Sequence, residues 1–70
     1  MITDVIRALE IAEEHLEKGE WVTINHDKPT HPVWVHVGTV HKLGNGEFWR
    51  ECYHISYMIK DGVSIKHVGI

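Results

Sequence analysis

The N-terminal part of the chain carries its apolar residues at the spacing of an amphipathic helix. Thr3 is a suitable N-terminal cap, and Gly19 readily takes the left-handed conformation that ends a helix. The pattern predicts a helix over residues 3–18, with one apolar stripe toward the core. Ile11 falls on the opposite side, where it is either tolerated in solvent or in contact with a partner. The stripe consists of Ile2, Val5, Ile6, Leu9, Ala12 and Leu16.

Beyond the helix, the apolar period changes to the alternation that is typical of strands. The segments are rich in β-branched and aromatic residues, and they are separated by turn signals. The loop 27–32 contains two prolines, and the pairs Asn45-Gly46 and Asp61-Gly62 favour tight turns. The predicted strands span residues 21–26, 33–42, 47–60 and 63–69.

These elements predict an α+β fold in a single domain of residues 1–70. One N-terminal helix packs on a four-stranded antiparallel meander, in the order α-β-β-β-β. A chain of 70 residues buries only about 60% of its unfolded surface, so small domains often gain stability from a disulfide, a metal or a partner. Cys52 is the only cysteine, which excludes an intramolecular disulfide. The pattern leaves open whether the sheet curls toward a small barrel.

The turns also predict which side chains share a face of the sheet. A two-residue turn at 61–62 pairs Met58 with Ile65, and a loop of two or four residues within 43–46 sets the register of the preceding pair. A bulge within 47–60 would exchange part of the two sets. One expected face carries Val33, Val35, Val37, Phe48, Cys52, His54, Met58, Val63, Ile65 and His67. The other expected face carries Trp34, His36, Gly38, Val40, Trp49, Tyr53, Ile55, Tyr57, Ile59 and Val68.

Both expected faces are apolar, and one helix covers only one of them. The remaining face therefore needs a second subunit, a ligand or a curled sheet, because large apolar patches are rare on monomers. The sequence does not decide which face the helix covers. Aromatic residues are enriched where interfaces are strongest, which favours the aromatic face as an interaction face. Its candidate contact residues are Trp34, His36, Trp49, Tyr53 and Tyr57.

Charge is distributed unevenly along the chain. The net charge is −3, but residues 1–20 hold six acids and two bases, while the remainder has a net charge of +1. Such a balance does not favour binding of duplex DNA. The acids of the helix predict a solvated face that suits a basic partner. That acidic helix face consists of Glu10, Glu13, Glu14 and Glu17.

Histidines recur at every fifth position from His26 through His31 and His36 to His41. The last two belong to one predicted strand, where they point to opposite faces and lie about 16 Å apart. The spacing is therefore not a metal motif, and surface or strand-filling histidines are the simpler interpretation. Protonation of His36 among aromatic side chains would weaken an association at low pH.

A better metal candidate than the histidine run lies in the C-terminal part of the sequence. Cys52 and His54 share a face, and His67 lies diagonally opposite, so thiolate and imidazole ligands are close. A structural zinc site needs a fourth ligand, which His41 or His26 would have to supply. Without a paired-cysteine motif the signal is unspecific, and we expect no metal and no other cofactor. The same Cys52–His54 spacing is too long for a nucleophile and its base, and no catalytic set is evident.

Single-stranded nucleic acid is another possible ligand class. Trp34, Tyr53 and Tyr57 would form a stacking surface flanked by Lys42 and Lys66. The net negative charge argues against it, because phosphate attraction dominates such binding.

The leading hypothesis is a small non-enzymatic protein-interaction module with a regulatory or inhibitory role, of bacterial or phage-like size. Its first contact is expected to be a homodimer through the uncovered face, followed by a protein partner. A structural zinc domain and a single-stranded nucleic-acid binder are the alternatives. The chain shows no signal-peptide pattern and no apolar run of membrane-spanning length, which favours a cytoplasmic protein without a membrane partner.

Overall fold

The computed structural model describes residues 2–42, 48–50 and 55–69. Within these residues, one helix precedes six strands, two of which form a separate short pair. The elements are α1 (Ile2–Glu17), β1 (Trp21–Asn25), β2 (Val33–Gly38), β3 (Val40–Lys42), β4 (Phe48–Arg50), β5 (Ile55–Lys60) and β6 (Val63–Val68).

The main sheet has four antiparallel strands in the order β1-β2-β5-β6, and the helix packs on one side of it. The predicted α+β class is confirmed. The sheet is open, with β1 and β6 at its edges, so the small-barrel alternative is wrong. The predicted strand 33–42 is divided at Thr39, and its second part, β3, pairs with β4 in a separate sheet.

The register of β5 with β6 is the predicted one. Met58 pairs with Ile65, and the hairpin closes at Asp61 and Gly62, whose φ angles are 51° and 79°. Positive φ at both positions is the requirement of a type I′ turn, whose twist matches that of the flanking strands.

The register of β2 with β5 differs from the predicted one. Trp34 pairs with Met58, and Val35 pairs with Tyr57. Lys42 pairs with Phe48, so five residues separate the paired positions, where a loop of two or four residues was predicted. An odd number reverses which side chains share a face, because strand side chains alternate with a period of two.

The two faces of the main sheet therefore carry different side chains from those predicted. Trp34 and His36 lie with Ser56 and Met58, whereas Tyr57 lies with the central valines of β2. The grouping of Tyr57 with Trp34 and His36 was wrong. The face toward the helix carries Val22, Ile24, Val33, Val35, Val37, Ile55, Tyr57, Ile59, Ser64, Lys66 and Val68.

The helix packs with a different side than its apolar stripe predicts. Ile11, which was expected to be exposed, is 3% exposed, and it joins Ala8 in the core. Leu9 was expected to be buried and is 56% exposed. The remaining large stripe residues Ile2, Ile6 and Leu16 are also exposed, so the predicted orientation of the stripe was wrong. The core consists of Ala8, Ile11, Val33, Val35, Val37 and Ile59, with Val5, Val22, Ile55 and Tyr57 packed against it.

Two buried polar side chains explain this rotation. Asp4 is 4% exposed, and its carboxylate accepts hydrogen bonds from the backbone N–H groups of Asp61 (3.1 Å) and Gly62 (2.8 Å). His15 is 3% exposed and lies on the same side of the helix, where its ring contacts Tyr57. Because buried polar groups require partners, these bonds hold the side with Asp4 and His15 toward the sheet.

The C-terminal end of α1 completes this arrangement. Gly19 has a φ of 81°, and the N–H groups of Gly19 and Glu20 donate to the carbonyls of Leu16 and His15. This pair of bonds is a Schellman motif, in which glycine supplies the left-handed residue. The reversal brings the side chain of Glu20 back to the ring of His15.

Candidate functional site

The sheet face opposite the helix is the first candidate surface. In the described part of the chain no second layer packs over it, and Ile65 is 44% exposed and Val63 60% exposed. We call this surface the open sheet face. It consists of Trp21, Thr23, Asn25, Trp34, His36, Gly38, Ser56, Met58, Lys60, Val63, Ile65 and His67.

A row of polar residues crosses the open sheet face. Thr23 pairs with His36, His36 with Ser56, and Ser56 with His67, so one side chain from each of the four strands lies in line. The Nδ1 atom of His36 and the Oγ atom of Ser56 are 3.1 Å apart and form a hydrogen bond. The bond holds the imidazole near the middle of the face.

Trp34 lies beside this row and contacts two imidazoles. Its ring stacks on His36 with centroids 5.9 Å apart and an interplanar angle of 2°, and it lies 6.4 Å from the tilted ring of His67. The stack with His36 covers one side of the indole. That arrangement suits packing against a protein surface better than insertion between bases, which uses exposed ring faces.

A second indole is placed on the open sheet face by Gly38. A Cβ atom at Gly38 would overlap the ring of Trp21, so the close approach of the indole requires glycine. The Nε1 atom of Trp21 donates to the carbonyl of Thr39 at 3.2 Å. Trp21 was not among the predicted contact residues. The available signal was a glycine within a strand, which often marks a close approach.

The predicted aromatic interaction face is only partly assembled by these residues. Trp34 and His36 lie on the open sheet face, while Tyr57 lies on the other side of the sheet, beneath α1. Trp49 belongs to β4, but its side chain, like the whole of Tyr53, lies outside what the structure describes. An interaction role for this face stays a prediction.

The acidic helix face is exposed at all four of its positions. Arg7 lies 3.8 Å from Glu10, and Lys18 lies 3.8 Å from Glu14, in ion pairs whose side chains are more than half exposed. Exposed pairs of this kind contribute little to stability. The four carboxylates of Glu10, Glu13, Glu14 and Glu17 therefore remain accessible to a partner.

The predicted zinc ligands are not brought together by the described residues. Cys52 and His54 lie outside them, and His67 is exposed on the open sheet face. Among the described residues, no group of three or more histidine, cysteine, aspartate or glutamate side chains could hold a metal ion. A zinc site that uses Cys52 and His54 stays a prediction.

A buried polar group beneath the helix resembles a catalytic arrangement in its geometry. The Nδ1 atom of His15 is 2.9 Å from the Oε1 atom of Glu20, and its Nε2 atom is 2.9 Å from the hydroxyl of Tyr57. Burial, followed by the charges of Glu14 and Glu20, raises the pKa of Tyr57 above 10.0, and Arg7 acts in the opposite direction. A raised pKa keeps the phenol protonated, which is the reverse of what an activated nucleophile needs.

The hydrogen bonds that join Glu20, His15 and Tyr57 therefore form a structural link between the helix, the following turn and β5. The sequence pattern alone did not predict this link. The signal was weak, since the histidine and the tyrosine are 42 positions apart in the chain.

Within the described residues, α1 is too short and too polar to cross a lipid bilayer. No protein-family model, curated protein sequence or solved structure matches this chain. The features of the molecule that indicate a function are therefore the two exposed surfaces and the polar groups beneath the helix.

Proposed function

We propose that the protein is a small non-enzymatic protein-interaction module whose open sheet face binds a second copy of the chain. The observation that supports the proposal is the difference between the two faces of the sheet. One is covered by α1 and buries Val33, Val35 and Val37, while the other leaves Met58 half-buried and Ile65 exposed. Exposed apolar patches of this kind are typical of interaction sites.

A second copy suits this face because the face carries little charge. Lys60 is its only lysine, arginine, aspartate or glutamate among the described residues, and it lies at the turn end of β5. Two such faces can meet without strong charge repulsion. In a dimer with a twofold axis, the open sheet face of one copy would contact the same face of the other.

The size of the face sets the expected strength. Four strands about 4.8 Å apart and about 20 Å long give a projected area of roughly 400 Å². A standard interface buries about 800 Å² per partner. We therefore expect a dimer whose population depends on protein concentration.

The polar groups beneath the helix support a role without catalysis. The Asp4 carboxylate accepts hydrogen bonds from the turn at Asp61 and Gly62, and the Tyr57 hydroxyl is hydrogen-bonded to His15. These groups therefore already have structural roles. The proposal also includes a regulatory role in the cytoplasm, where a single thiol such as Cys52 stays reduced.

The test is native mass spectrometry at a series of concentrations on protein expressed with zinc present. The expected species are a metal-free dimer and its monomer. Ile65→Lys introduces a charge into the open sheet face and is expected to leave only monomer. Ser64→Lys is the matched control, since the neighbouring side chain of β6 points to the other side of the sheet. It is expected to dimerise like the parent.

Other outcomes identify the alternatives. Equal dimerisation of both variants would show that the contact lies elsewhere. A monomer with one bound zinc, lost in Cys52→Ser, would support the structural zinc domain. Salt-sensitive binding of a single-stranded oligonucleotide, with quenching of tryptophan fluorescence, would support the nucleic-acid alternative.

A further inference from the structure

The outward side of α1 carries a second apolar surface, separate from the open sheet face. We call it the outer stripe, and it consists of Ile2, Ile6, Leu9 and Leu16. Their exposed fractions are 76%, 52%, 56% and 57%. Four large aliphatic side chains exposed in line on one helix are unusual for a monomer of this size.

The spacing within the outer stripe is that of a helix-pairing seam. Its positions are separated by four, three and seven residues, and Glu13 divides the last interval into four and three. This alternation of four and three is the a/d repeat of coiled coils, in which side chains fit between those of a second helix. From Ile2 to Leu16 the seam is about 21 Å long, at about 1.5 Å per residue.

Charge selects the type of helix that fits. Glu13 lies within the seam, and Glu10 and Glu17 lie along its solvent-facing edge. Among the described residues, no lysine, arginine or histidine lies within salt-bridge distance of Glu13 or Glu17. The opposite edge of the seam is formed by Val5 and Ala12, which face the sheet. The acidic edge is therefore the edge that a partner helix can reach.

We propose that the outer stripe binds a basic amphipathic helix of a different protein. Its leucine-like side chains would pack between Ile6, Leu9 and Leu16, and a lysine or arginine that flanks the partner's own seam would reach Glu13. Further basic residues would meet Glu10 and Glu17, since residues that flank the seam select the partner by charge. The inference rests on the proposed role as an interaction module, but it uses a surface on the other side of the molecule.

A second copy of the chain fits this surface poorly. A parallel pair would place Glu13 opposite Glu13, and an antiparallel pair would bring the glutamates at the acidic edges together. Like charges in such positions disfavour pairing. The occupant is therefore a helix of opposite charge, and the copy-to-copy contact belongs to the open sheet face.

The test uses three synthetic peptides of three heptads each. Two of them have leucine at the a and d positions; one of these has lysine at the e and g positions and the other has glutamate. A third peptide has the composition of the lysine peptide in a scrambled order. Binding of each fluorescent peptide to the full chain is measured by anisotropy at low and at physiological salt.

The lysine peptide is expected to bind at least about tenfold more tightly than either control, with an affinity that falls as salt is added. Leu9→Glu is expected to weaken its binding by about tenfold or more. Leu16→Gln is expected to weaken the binding of the lysine peptide by a smaller factor. This variant replaces Leu9→Glu in the test if Leu9→Glu fails to fold. Val68→Glu is the matched control, since Val68 is 74% exposed and lies outside both surfaces.

Four results would overturn the inference. Equal binding of the lysine and scrambled peptides would reveal unspecific attraction, and equal binding of the lysine and glutamate peptides would remove the role of charge. Unchanged binding by Leu9→Glu and Leu16→Gln would place the contact elsewhere. Native mass spectra of the same samples report the subunit count, so a failure of sheet-face dimerisation is seen separately. A parent dimer that Leu9→Glu converts to monomer would mean that a second copy occupies the stripe.

Discussion

The inner and outer sides of α1 differ in a way that hydrophobicity alone would reverse. The inner side is buried, and besides Ile11 it carries small and polar residues, including Ala8, Asp4 and His15. The outer side carries the large aliphatic residues of the outer stripe, and it is exposed. The orientation of a helix is therefore set by the bonds its polar groups can make and by how closely it can approach, as well as by the apolar area it buries.

The magnitudes show why both effects matter. Burial of a leucine or isoleucine stabilises by about 1.5–3 kcal/mol, so four exposed ones leave a large contribution unused. Asp4 and His15 each take part in two hydrogen bonds. A bond in which a charged group takes part contributes about 1–3 kcal/mol. The two sums are of similar size. The present orientation gains the hydrogen bonds within the chain and leaves the aliphatic side for a partner.

The largest expected effect is the difference in stability between two truncations, one on the inner side of α1 and one on its outer side. Ile11→Ala is expected to lower the free energy of unfolding by about 3 kcal/mol, because it opens a cavity between α1 and β2. Leu9→Ala is expected to change it by less than about 0.5 kcal/mol, since its side chain is largely in water. Urea unfolding of both variants measures the difference. Equal losses, or a larger loss for Leu9→Ala, would mean that the helix packs in the orientation its apolar stripe predicts.

A smaller effect is expected from removing the anchor at the start of the helix. Asp4→Ala is expected to lower the free energy of unfolding by about 2 kcal/mol, because two backbone N–H groups lose a carboxylate partner. Asp4→Asn keeps one acceptor oxygen and is expected to fall between Asp4→Ala and the parent. The control is Glu10→Ala on the exposed side of the helix, for which we expect almost no change in the urea midpoint. An Asp4→Ala variant as stable as this control would refute the anchoring role.

The smallest effect is expected at the other anchor. Tyr57→Phe removes the hydroxyl that contacts His15 and is expected to lower the free energy of unfolding by about 1 kcal/mol at neutral pH. The raised pKa of Tyr57 adds a pH dependence: the unfolded chain releases the phenolic proton at lower pH than the folded chain does. The contribution of this group to stability is therefore fully present and constant well below pH 10.0, and it is lost as the pH rises above that value.

The measurement is urea unfolding of the parent and of Tyr57→Phe at several alkaline pH values. The parent is expected to lose more stability with rising pH than the variant does. Parallel curves would show that the phenol is not held in its protonated form by the fold.

Local signals in the sequence were sufficient for the helix, the four strands of the main sheet and the fold class. The change of apolar period placed the helix and the strands, and Asp61-Gly62 predicted both a turn and the register of β5 with β6. The faces were harder, because they depend on one residue of loop length between Lys42 and Phe48. Of the candidate contact residues, Trp34 and His36 were placed together correctly, and Tyr57 was not.

The rotation of the helix was beyond local reasoning for a different reason. It depends on partners that are remote in sequence, since Asp4 binds backbone atoms 57 and 58 positions later. An aspartate in the first helical turn is also favoured by the helix dipole, so its presence there was already explained without burial. The outer stripe could therefore be recognised only once those partners were known.

The bond from Asp4 to the turn at Asp61 and Gly62 also orders events during synthesis. The helix is made before the sheet, but its final docking needs a turn that is synthesised 57 residues after Asp4. A nascent chain therefore carries an amphipathic helix before the strands it packs on have been made. Contacts that span most of a chain form late and slow the folding of small domains. A partner helix that binds the outer stripe would not have to wait, because that surface is complete as soon as α1 is helical.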